Sequence, residues 1–220
     1  MTTPENAAHF PGAPKIRVAL LGGTGSFGRA LAVRLREAGI DVVVGSRDAE
    51  RGREVAAELG VEGTTNEEAL AGADLAVLAV RADAALETAA RHAEAIGDTP
   101  LLCVGSELTF SDRGVLPSPE ARSLAERVAD AVPGPVVAGL HSLAAATLGG
   151  EEAPDEDALV CGDDPDAKRL ALELASRLVG GRALDAGPLA SARALEGLTA
   201  VIVNLNKRYK GHAGVRVTGI

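Results

Sequence analysis

The sequence predicts an α/β protein of the doubly wound Rossmann type, with a mainly parallel sheet and a small α/β lobe at its C-terminal end. Short apolar runs alternate with amphipathic helix patterns, which is typical of parallel strands covered by helices on both faces. A glycine-rich turn joins the first apolar run to the first helix pattern, and an acidic stretch at 151–157 interrupts the alternation. We therefore predict a flexible leader over 1–14, a Rossmann domain over 15–150 and the small lobe over 151–220.

The first strand is predicted at Ile16–Leu21 and runs into a turn that contains G-x-G-x-x-G at Gly23, Gly25 and Gly28. A helix pattern follows at once and ends at Gly39, before a second strand. The first glycine permits a tight turn, the second lets the backbone approach a pyrophosphate, and the third lets helix and strand pack closely. N–H groups at the helix N-terminus would face the anion. This stretch predicts dinucleotide binding; the alternative is a glycine-rich turn in another doubly wound fold.

The residues after the second strand, Val42–Val44, distinguish the two nicotinamide coenzymes. Sites for NAD usually carry an acidic residue there for the ribose 2′-hydroxyl, whereas this chain has Ser46, Arg47 and Arg51. Arginine presents a planar fork of donors that suits phosphate oxygens. We therefore predict NADP(H), although the two arginines can also be read as solvated residues at the start of a helix. Asp48 is expected to cap that helix.

The composition argues against several classes of partner. The net charge is −9 with no basic block, Trp is absent and aromatic residues make up only 2%, which argues against nucleic acid. No apolar run reaches the roughly 20 residues of a membrane-spanning helix, and the leader lacks the features of a secretory signal. Cys103 and Cys161 fall in predicted strands without a C-x-x-C pattern or histidines at ligand spacing, which indicates buried thiols in a reducing compartment and no metal site. We predict a cytoplasmic protein with neither a nucleic-acid nor a membrane partner.

The alternation of strand and helix continues to residue 104. We predict a helix over 49–59, a strand over 61–64, a helix over 67–71 capped by Asn66 and a strand over 74–80. A helix from Asp83 to Ile96, with Asp83 as its cap, and a strand over 101–104 follow. The segment 105–117 is polar and follows the carboxyl end of a strand, where open α/β sheets bind their ligands, so we predict a functional loop. A helix capped by Ser118 and a strand over 135–140 then lead to His141.

The C-terminal part begins with the acidic stretch 151–157, which we interpret as a solvated hinge. It continues with a strand over 158–162, a helix over 165–179 capped by Asp164, a strand over 182–185 and an apolar helix from Ser191 to about Lys207. The segment 195–205 (LEGLTAVIVNL) is too apolar to be left in water, which suggests a lobe or dimer interface. Lys207, Arg208 and Lys210 place positive charge at the helix C-terminus, where it is favourable.

Together, these segments resemble the family of coenzyme F420-dependent NADP reductases. The resemblance covers nearly the whole chain after the leader and is carried by RVALLGGTGSFGRALA, VVVGSRDAER, DLAVLAV, VVAGLHSLAA, ALVCGDD and LDAGPLASARALEGLTAVIVNLN. It implies an oxidoreductase that passes a hydride between C4 of the nicotinamide of NADP(H) and C5 of the deazaflavin coenzyme F420. It also implies a Rossmann domain with a small C-terminal lobe, a homodimer, and a deazaflavin bound in the cleft.

The resemblance also implies roles for individual residues. Those expected to bind the coenzymes are Gly23, Thr24, Gly25, Ser26 and Phe27 at the pyrophosphate, Ser46, Arg47 and Arg51 at the 2′-phosphate, Val80 beside the cofactor, and His141 and Ala145 at the nicotinamide and the deazaflavin. His141 is in addition the candidate catalytic residue, for orientation or proton donation. The chain departs from the family pattern at 81–83, where relatives carry a proline and an aromatic residue, and at 105–117.

Two other functions stay open at this point. The altered segments are compatible with an NADP-dependent reductase of another small imine or keto substrate. Reduction of a keto acid would need an acid/base group, which His141, Lys207 or Lys210 would supply. The other possibility is a non-catalytic NADP-binding sensor. Lys207, Arg208 and Lys210 could also meet the anionic tail of the deazaflavin, but complementing the helix end is the more economical explanation.

Overall fold

Eight strands form one mostly parallel sheet in the computed structural model, which describes residues 16–220. The predicted leader, 1–14, lies outside these residues. The sheet strands are β1 Arg17–Leu21, β2 Asp41–Ser46, β3 Glu62–Thr65, β4 Leu75–Leu78, β5 Leu101–Cys103, β8 Val136–Gly139, β9 Ala158–Gly162 and β10 Ala183–Asp185, and a separate hairpin consists of β6 Leu108–Ser111 and β7 Gly114–Pro117. The sheet order is β10-β9-β8-β5-β4-β1-β2-β3, and β9 is antiparallel to β8. The predicted fold class, doubly wound with a mainly parallel sheet, is confirmed.

Helices connect most of these strands. They are α1 Ser26–Glu37, α2 Ala49–Leu59, α3 Asn66–Leu70, α4 Ala82–Arg91, α5 Ala93–Ile96, α6 Leu124–Ala129, α7 Ala145–Leu148, α8 Pro165–Ser176 and α9 Ala192–Tyr209, with a 3₁₀ turn at Leu189–Ser191 before α9. Among the helices of residues 16–220, none combines the length and the apolar character that crossing a bilayer requires.

Two hydrophobic cores lie on opposite faces of the sheet. Side chains alternate between the faces of a strand, and the central strand β1 therefore contributes Val18 and Leu20 to one core and Ala19 and Leu21 to the other. All four are fully buried. The first core is completed by α1, α2 and α8, and the second by α3 to α6 and the start of α9. This double coverage explains why the strands read as continuous apolar runs.

Two helix caps form as the sequence predicts. Oδ1 of Asp48 accepts hydrogen bonds from the N–H groups of Glu50 at 2.8 Å and Arg51 at 3.1 Å, at the start of α2. Oδ1 of Asp164 accepts from the N–H of Ala167 at 2.8 Å, at the start of α8. Each carboxylate satisfies donors that the helix leaves unpaired.

The caps predicted at Asn66 and Asp83 are wrong. Thr65 caps α3, in a reciprocal capping box with Glu68, while the Asn66 side chain instead accepts a hydrogen bond from the N–H of Gly22 at 3.1 Å. The helix α4 begins one residue before Asp83, whose carboxylate pairs with Arg81 at 2.7 Å. At Asn66 a hydrogen bond to a backbone group distant in the sequence replaces capping, and at Asp83 an ion pair with a neighbouring residue does so.

The predicted loop 105–117 is wrong in form, because most of it folds as the β6–β7 hairpin. The helix expected from Ser118 begins later, at Leu124. Ser123 and Glu126 form its capping box, while the hydroxyl of Ser118 accepts the N–H of Glu120 at 3.2 Å within a turn.

The acidic stretch 151–157 is not the fully solvated hinge that the sequence suggests. Asp157 is completely buried and accepts hydrogen bonds from Arg182, through its N–H and its guanidinium at 2.8 Å each, and from the N–H of Val217 at 2.9 Å. The Arg182 guanidinium and these donors hold the pKa of Asp157 well below its usual range. Strands β9 and β10, which follow, extend the same sheet, and the division into two domains at residue 150 stays a prediction.

Candidate functional site

The glycine-rich turn lies where the carboxyl ends of β1, β2 and β4 meet. Gly22 has φ +73°, and a Cβ there would lie 2.2 Å from Cγ1 of Val80, so only glycine fits. The N–H of Gly23 lies 3.1 Å from both the Leu20 carbonyl and the Gly45 carbonyl. A Cβ on Gly28 would lie 2.6 Å from Cα of Gly23, so the third glycine permits the close approach of helix and turn.

The N-terminus of α1 is open to a ligand. Gly25 occupies the N-cap position with an ordinary φ of −74°, and no side chain in the described part of the chain caps the helix. A Cβ at Gly25 would meet only the Gly22 carbonyl oxygen, at 3.8 Å. The first N–H groups, those of Ser26, Phe27 and Gly28, have no intrahelical acceptor. The protein itself therefore leaves room and donors for an anion above Gly25.

Two cations are available at the end of β2. Arg47 and Arg51 are exposed, and neither forms an ion pair with a carboxylate between residues 16 and 220. Ser46 is buried, and its hydroxyl accepts the N–H of Asp48 at 3.3 Å. Because Asp48 caps α2, its carboxylate is not arranged for a ribose hydroxyl. The two exposed arginines at the end of β2 therefore suit a phosphate better than an uncharged ribose.

A cleft of about 260 Å³ opens beside the glycine turn, at the carboxyl ends of β4, β5 and β8. Its walls come from 79–82, 104–108 and 140–143, together with Phe27 and Thr199, and they are mainly apolar. A larger depression of about 430 Å³ lies between α8 and β10. We place the site in the smaller cleft, because open α/β sheets bind ligands at the carboxyl ends of their strands.

His141 lies in the wall of this cleft and is held by an unusual backbone. Leu140, just before it, has φ +65°, which is rare for a bulky residue and marks local strain. The ring of His141 is buried, and neither nitrogen has a hydrogen-bond partner among residues 16–220. Burial lowers the pKa of His141 to about 4. The ring is therefore uncharged at neutral pH, which favours the predicted role in orientation over that in proton donation.

Ala145 lies apart from the other predicted residues. It begins α7 and is half-buried, and it does not belong to the cleft wall described above. The end of α7 is fixed by Arg34 of α1, whose guanidinium donates to the Leu148 carbonyl at 3.2 Å and the Gly150 carbonyl at 2.6 Å. The helix whose N-terminus is open thus also holds the segment at the end of α7.

The sequence analysis missed two polar residues of the cleft. The hydroxyls of Ser106 and Thr199 lie 2.8 Å apart, and Thr199 donates to the His141 carbonyl at 2.9 Å. These hydrogen bonds join α9 to the loops after β5 and β8. The only signal in the sequence is a threonine within the apolar run 195–205. In residues 16–220, no group of three histidine, cysteine or acidic side chains could hold a metal ion.

Comparisons with known proteins agree with this geometry. Residues 17–101 match the family model described as NADP oxidoreductase, coenzyme F420-dependent. The chain is 35% identical to the F420-dependent NADP reductase of Methanothermobacter thermautotrophicus, over 93% of this chain and 96% of that protein. It is 30% identical to the protein of the same description from Methanocaldococcus jannaschii, over 93% and 99%. A crystal structure from Arthrobacter sp. FB24, titled as an F420-dependent NADP reductase, has the same fold, with a TM-score of 0.81, 24% identity and coverage of 94% and 100%.

Proposed function

The chain belongs to the family of coenzyme F420-dependent NADP oxidoreductases, and from this premise we propose that it transfers a hydride between NADP(H) and coenzyme F420. The proposal rests on relatives of that description that match the chain over nearly its whole length. The structural observation that supports it most is the position of the apolar cleft. It begins at Phe27 and Val80, beside the open N-terminus of α1, so a coenzyme with its pyrophosphate on that helix has the cleft within reach for its nicotinamide.

Binding of NADP(H) is assigned to two groups of residues. Gly23, Thr24, Gly25, Ser26 and Phe27 hold the pyrophosphate, chiefly through N–H groups of the open helix end. The second group, at the end of β2, holds the 2′-phosphate and consists of Ser46, Arg47 and Arg51. The exposure of both arginines supports this assignment, because a buried or ion-paired guanidinium would first have to be released.

The reaction asks for little acid/base chemistry from the protein. When both coenzymes are bound, a hydride passes between C4 of the nicotinamide and C5 of the deazaflavin, and the chemistry belongs to the coenzymes. The protein orients the two rings and excludes water. Val80, His141 and Ala145 are assigned to these tasks, His141 as a neutral orienting ring. A keto-acid reductase is less well supported, because the relatives that match the chain over nearly its whole length are described as F420-dependent NADP reductases.

The proposal includes a homodimer in the cytoplasm. Val201, Leu205 and Tyr209 are exposed on α9 at a spacing of four residues, which places them on one face of the helix. A second copy of the chain would cover this apolar stripe.

The cytoplasmic location is supported by the two cysteines. Cys103 and Cys161 are buried free thiols, which agrees with a reducing compartment. The segment 151–220 then contributes the lobe that closes the cleft.

An anaerobic assay tests the central proposal. Purified protein is mixed with NADPH and oxidised coenzyme F420, and the visible absorption band of the deazaflavin is followed. We expect rapid bleaching with NADPH and much slower bleaching with NADH. A protein that binds NADPH but bleaches nothing would contradict the assignment of the acceptor.

A further inference from the structure

The cations that lack an ion pair fall mainly into two clusters. Most arginines and lysines between residues 16 and 220 lie within 4.0 Å of a carboxylate oxygen. Of the others, Arg193 donates to the Ser118 carbonyl at 2.6 Å. The remaining ones are Arg47, Arg51 and Arg53 at the β2–α2 corner, and Arg113, Lys207, Arg208 and Lys210, which we name the cationic rim. The first cluster includes Arg47 and Arg51 of the proposed 2′-phosphate site, with Arg53 further along α2. The cationic rim has no function assigned to it so far.

The cationic rim is assembled from two elements that the side chain of Asn204 holds together. Oδ1 of Asn204 accepts the N–H of Val115 at 2.9 Å, and its Nδ2 donates to the Val115 carbonyl at 2.7 Å. Arg113 precedes Val115 by two residues, at the hairpin tip. Lys207 and Arg208 follow Asn204 by three and four residues and therefore lie on its side of α9. This side chain brings the hairpin tip to the end of the helix.

An aromatic ring lies within the cationic rim. Nζ of Lys207 is 5.3 Å from the centroid of the Phe110 ring, within the range of a cation–π contact. Phe110 is 68% exposed. The only carboxylate at the hairpin tip itself is Asp112, so within the described chain the rim keeps a net positive charge. The whole protein carries a net charge of −9, which makes this local excess of positive charge distinctive.

The cationic rim adjoins the cleft through both of its elements. Leu108 lines the cleft, and Phe110 follows it on the same face of β6, about 7 Å along the strand. Thr199 also lines the cleft, and Lys207 lies two turns, about 12 Å, further along α9. A ligand with its ring in the cleft and an anionic chain of that length can reach the rim.

We propose that the cationic rim binds the anionic side chain of the deazaflavin coenzyme, an inference that rests on the proposed function. The favourable effect of positive charge at a helix C-terminus accounts for Lys207, Arg208 and Lys210. It does not account for Arg113, which belongs to another element, or for the position of Lys207 over Phe110. An anionic chain leaving the cleft accounts for all of them.

The test compares two ligands and two variants of equal charge. The rim variant is Arg113→Gln/Lys207→Gln/Arg208→Gln. The control variant, Arg91→Gln/Arg169→Gln/Arg177→Gln, removes the same charge from exposed positions on α4, on α8 and directly after α8. Dissociation constants are measured by deazaflavin fluorescence at low salt, for coenzyme F420 and for the same deazaflavin without its phosphate and carboxylate chain, and the affinity for NADPH is measured alongside.

We expect the rim variant to bind coenzyme F420 about five- to tenfold more weakly, because it loses three exposed charges that each make a modest contribution. Its affinities for the chain-free deazaflavin and for NADPH should stay within twofold, as should all affinities of the control variant. An unchanged affinity for coenzyme F420, or an equal loss for both deazaflavins, would overturn the role of the rim and leave the proposed function standing. If the wild-type protein bound neither deazaflavin, the proposed function would fail and the inference with it.

Discussion

The hydroxyl of Thr199 donates a hydrogen bond of 2.9 Å to the backbone carbonyl of His141. It also lies 2.8 Å from the hydroxyl of Ser106. One side chain of α9 thus fixes two loops that both line the cleft. Because the hydride donor and acceptor must be held at a defined separation, this position should affect turnover more than coenzyme binding.

Replacing Thr199 by valine keeps the shape of the side chain and removes both hydrogen bonds. We expect a loss of stability of about 1 kcal/mol and a several-fold lower kcat, with the KM for NADPH little changed. Thr199→Ser, which keeps the hydroxyl, should recover most of the rate. Steady-state kinetics with both coenzymes measures this. A Thr199→Val protein with wild-type kcat would show that the hydrogen bond to His141 has no part in turnover.

The choice between NADP(H) and NAD(H) should depend on Arg47 and Arg51. Neither has a carboxylate partner within residues 16–220, so both are available to a 2′-phosphate. Replacing either by glutamine should raise the KM for NADPH at least about tenfold, since a hydrogen bond to a charged group contributes about 1.5–3 kcal/mol. The KM for NADH should not change.

Arg53→Gln is the matched control. Arg53 is exposed on α2, the helix that also carries Arg51, and it too lacks an ion pair in the described chain. An equal effect of Arg53→Gln on NADPH would mean that net positive charge, rather than a defined phosphate site, determines the preference.

The sequence predicts the Rossmann part of the fold well because its signals are local. The apolar runs of β1 and β4 and the glycines of the first turn depend little on distant residues. The caps at Asp48 and Asp164 likewise involve residues two or three positions away. Local signals of this kind also identified the open end of α1 and the arginines after β2.

Two of the misjudged positions depend on contacts between distant segments. Asn66 bonds to Gly22, 44 positions away, and Asp157 to Val217, 60 positions away. Periodicity does not encode such pairs. The same is true of Thr199 and of Asn204, whose roles follow from what lies opposite them in space. The hairpin 108–117 was missed because its strands are short and mainly exposed, so they lack a strong alternating pattern.

Substitution by alanine should have different effects at two glycines of the turn, on NADPH affinity at Gly25 and on thermal stability at Gly28. A Cβ on Gly25 meets nothing in the described chain closer than 3.8 Å, whereas one on Gly28 lies 2.6 Å from Cα of Gly23. Gly25→Ala should therefore keep the wild-type Tm but weaken NADPH binding at least about tenfold, because the methyl group occupies the space of the pyrophosphate. Gly28→Ala should lower the Tm itself. Thermal melts and NADPH titrations of both variants separate the two effects. Wild-type affinity in Gly25→Ala would show that the pyrophosphate binds elsewhere.

The pH dependence of stability should be governed in part by Glu196. This residue of α9 is 1% exposed, and its Oε1 accepts the N–H of Leu124 at 2.7 Å. Burial is the main cause that raises the pKa of Glu196 from the ordinary 4.5 to about 7, and neighbouring Glu107 adds to it. The folded state therefore keeps its proton to higher pH than the unfolded state does. The resulting stability is fully present below about pH 4.5 and is lost as the pH rises to about 7.

The full effect of this shift is on the order of 3 kcal/mol. Glu196→Gln cannot ionise and should lose this dependence. The difference in Tm between variant and wild type should therefore grow in favour of the variant from pH 5 to pH 8. The lowered pKa of His141 makes the folded protein less stable as the pH falls below about 6.5, which is opposite to the effect of Glu196. Both proteins contain His141, so its contribution cancels when they are compared at the same pH. A constant difference across this range would mean that Glu196 is ionised in the folded protein throughout.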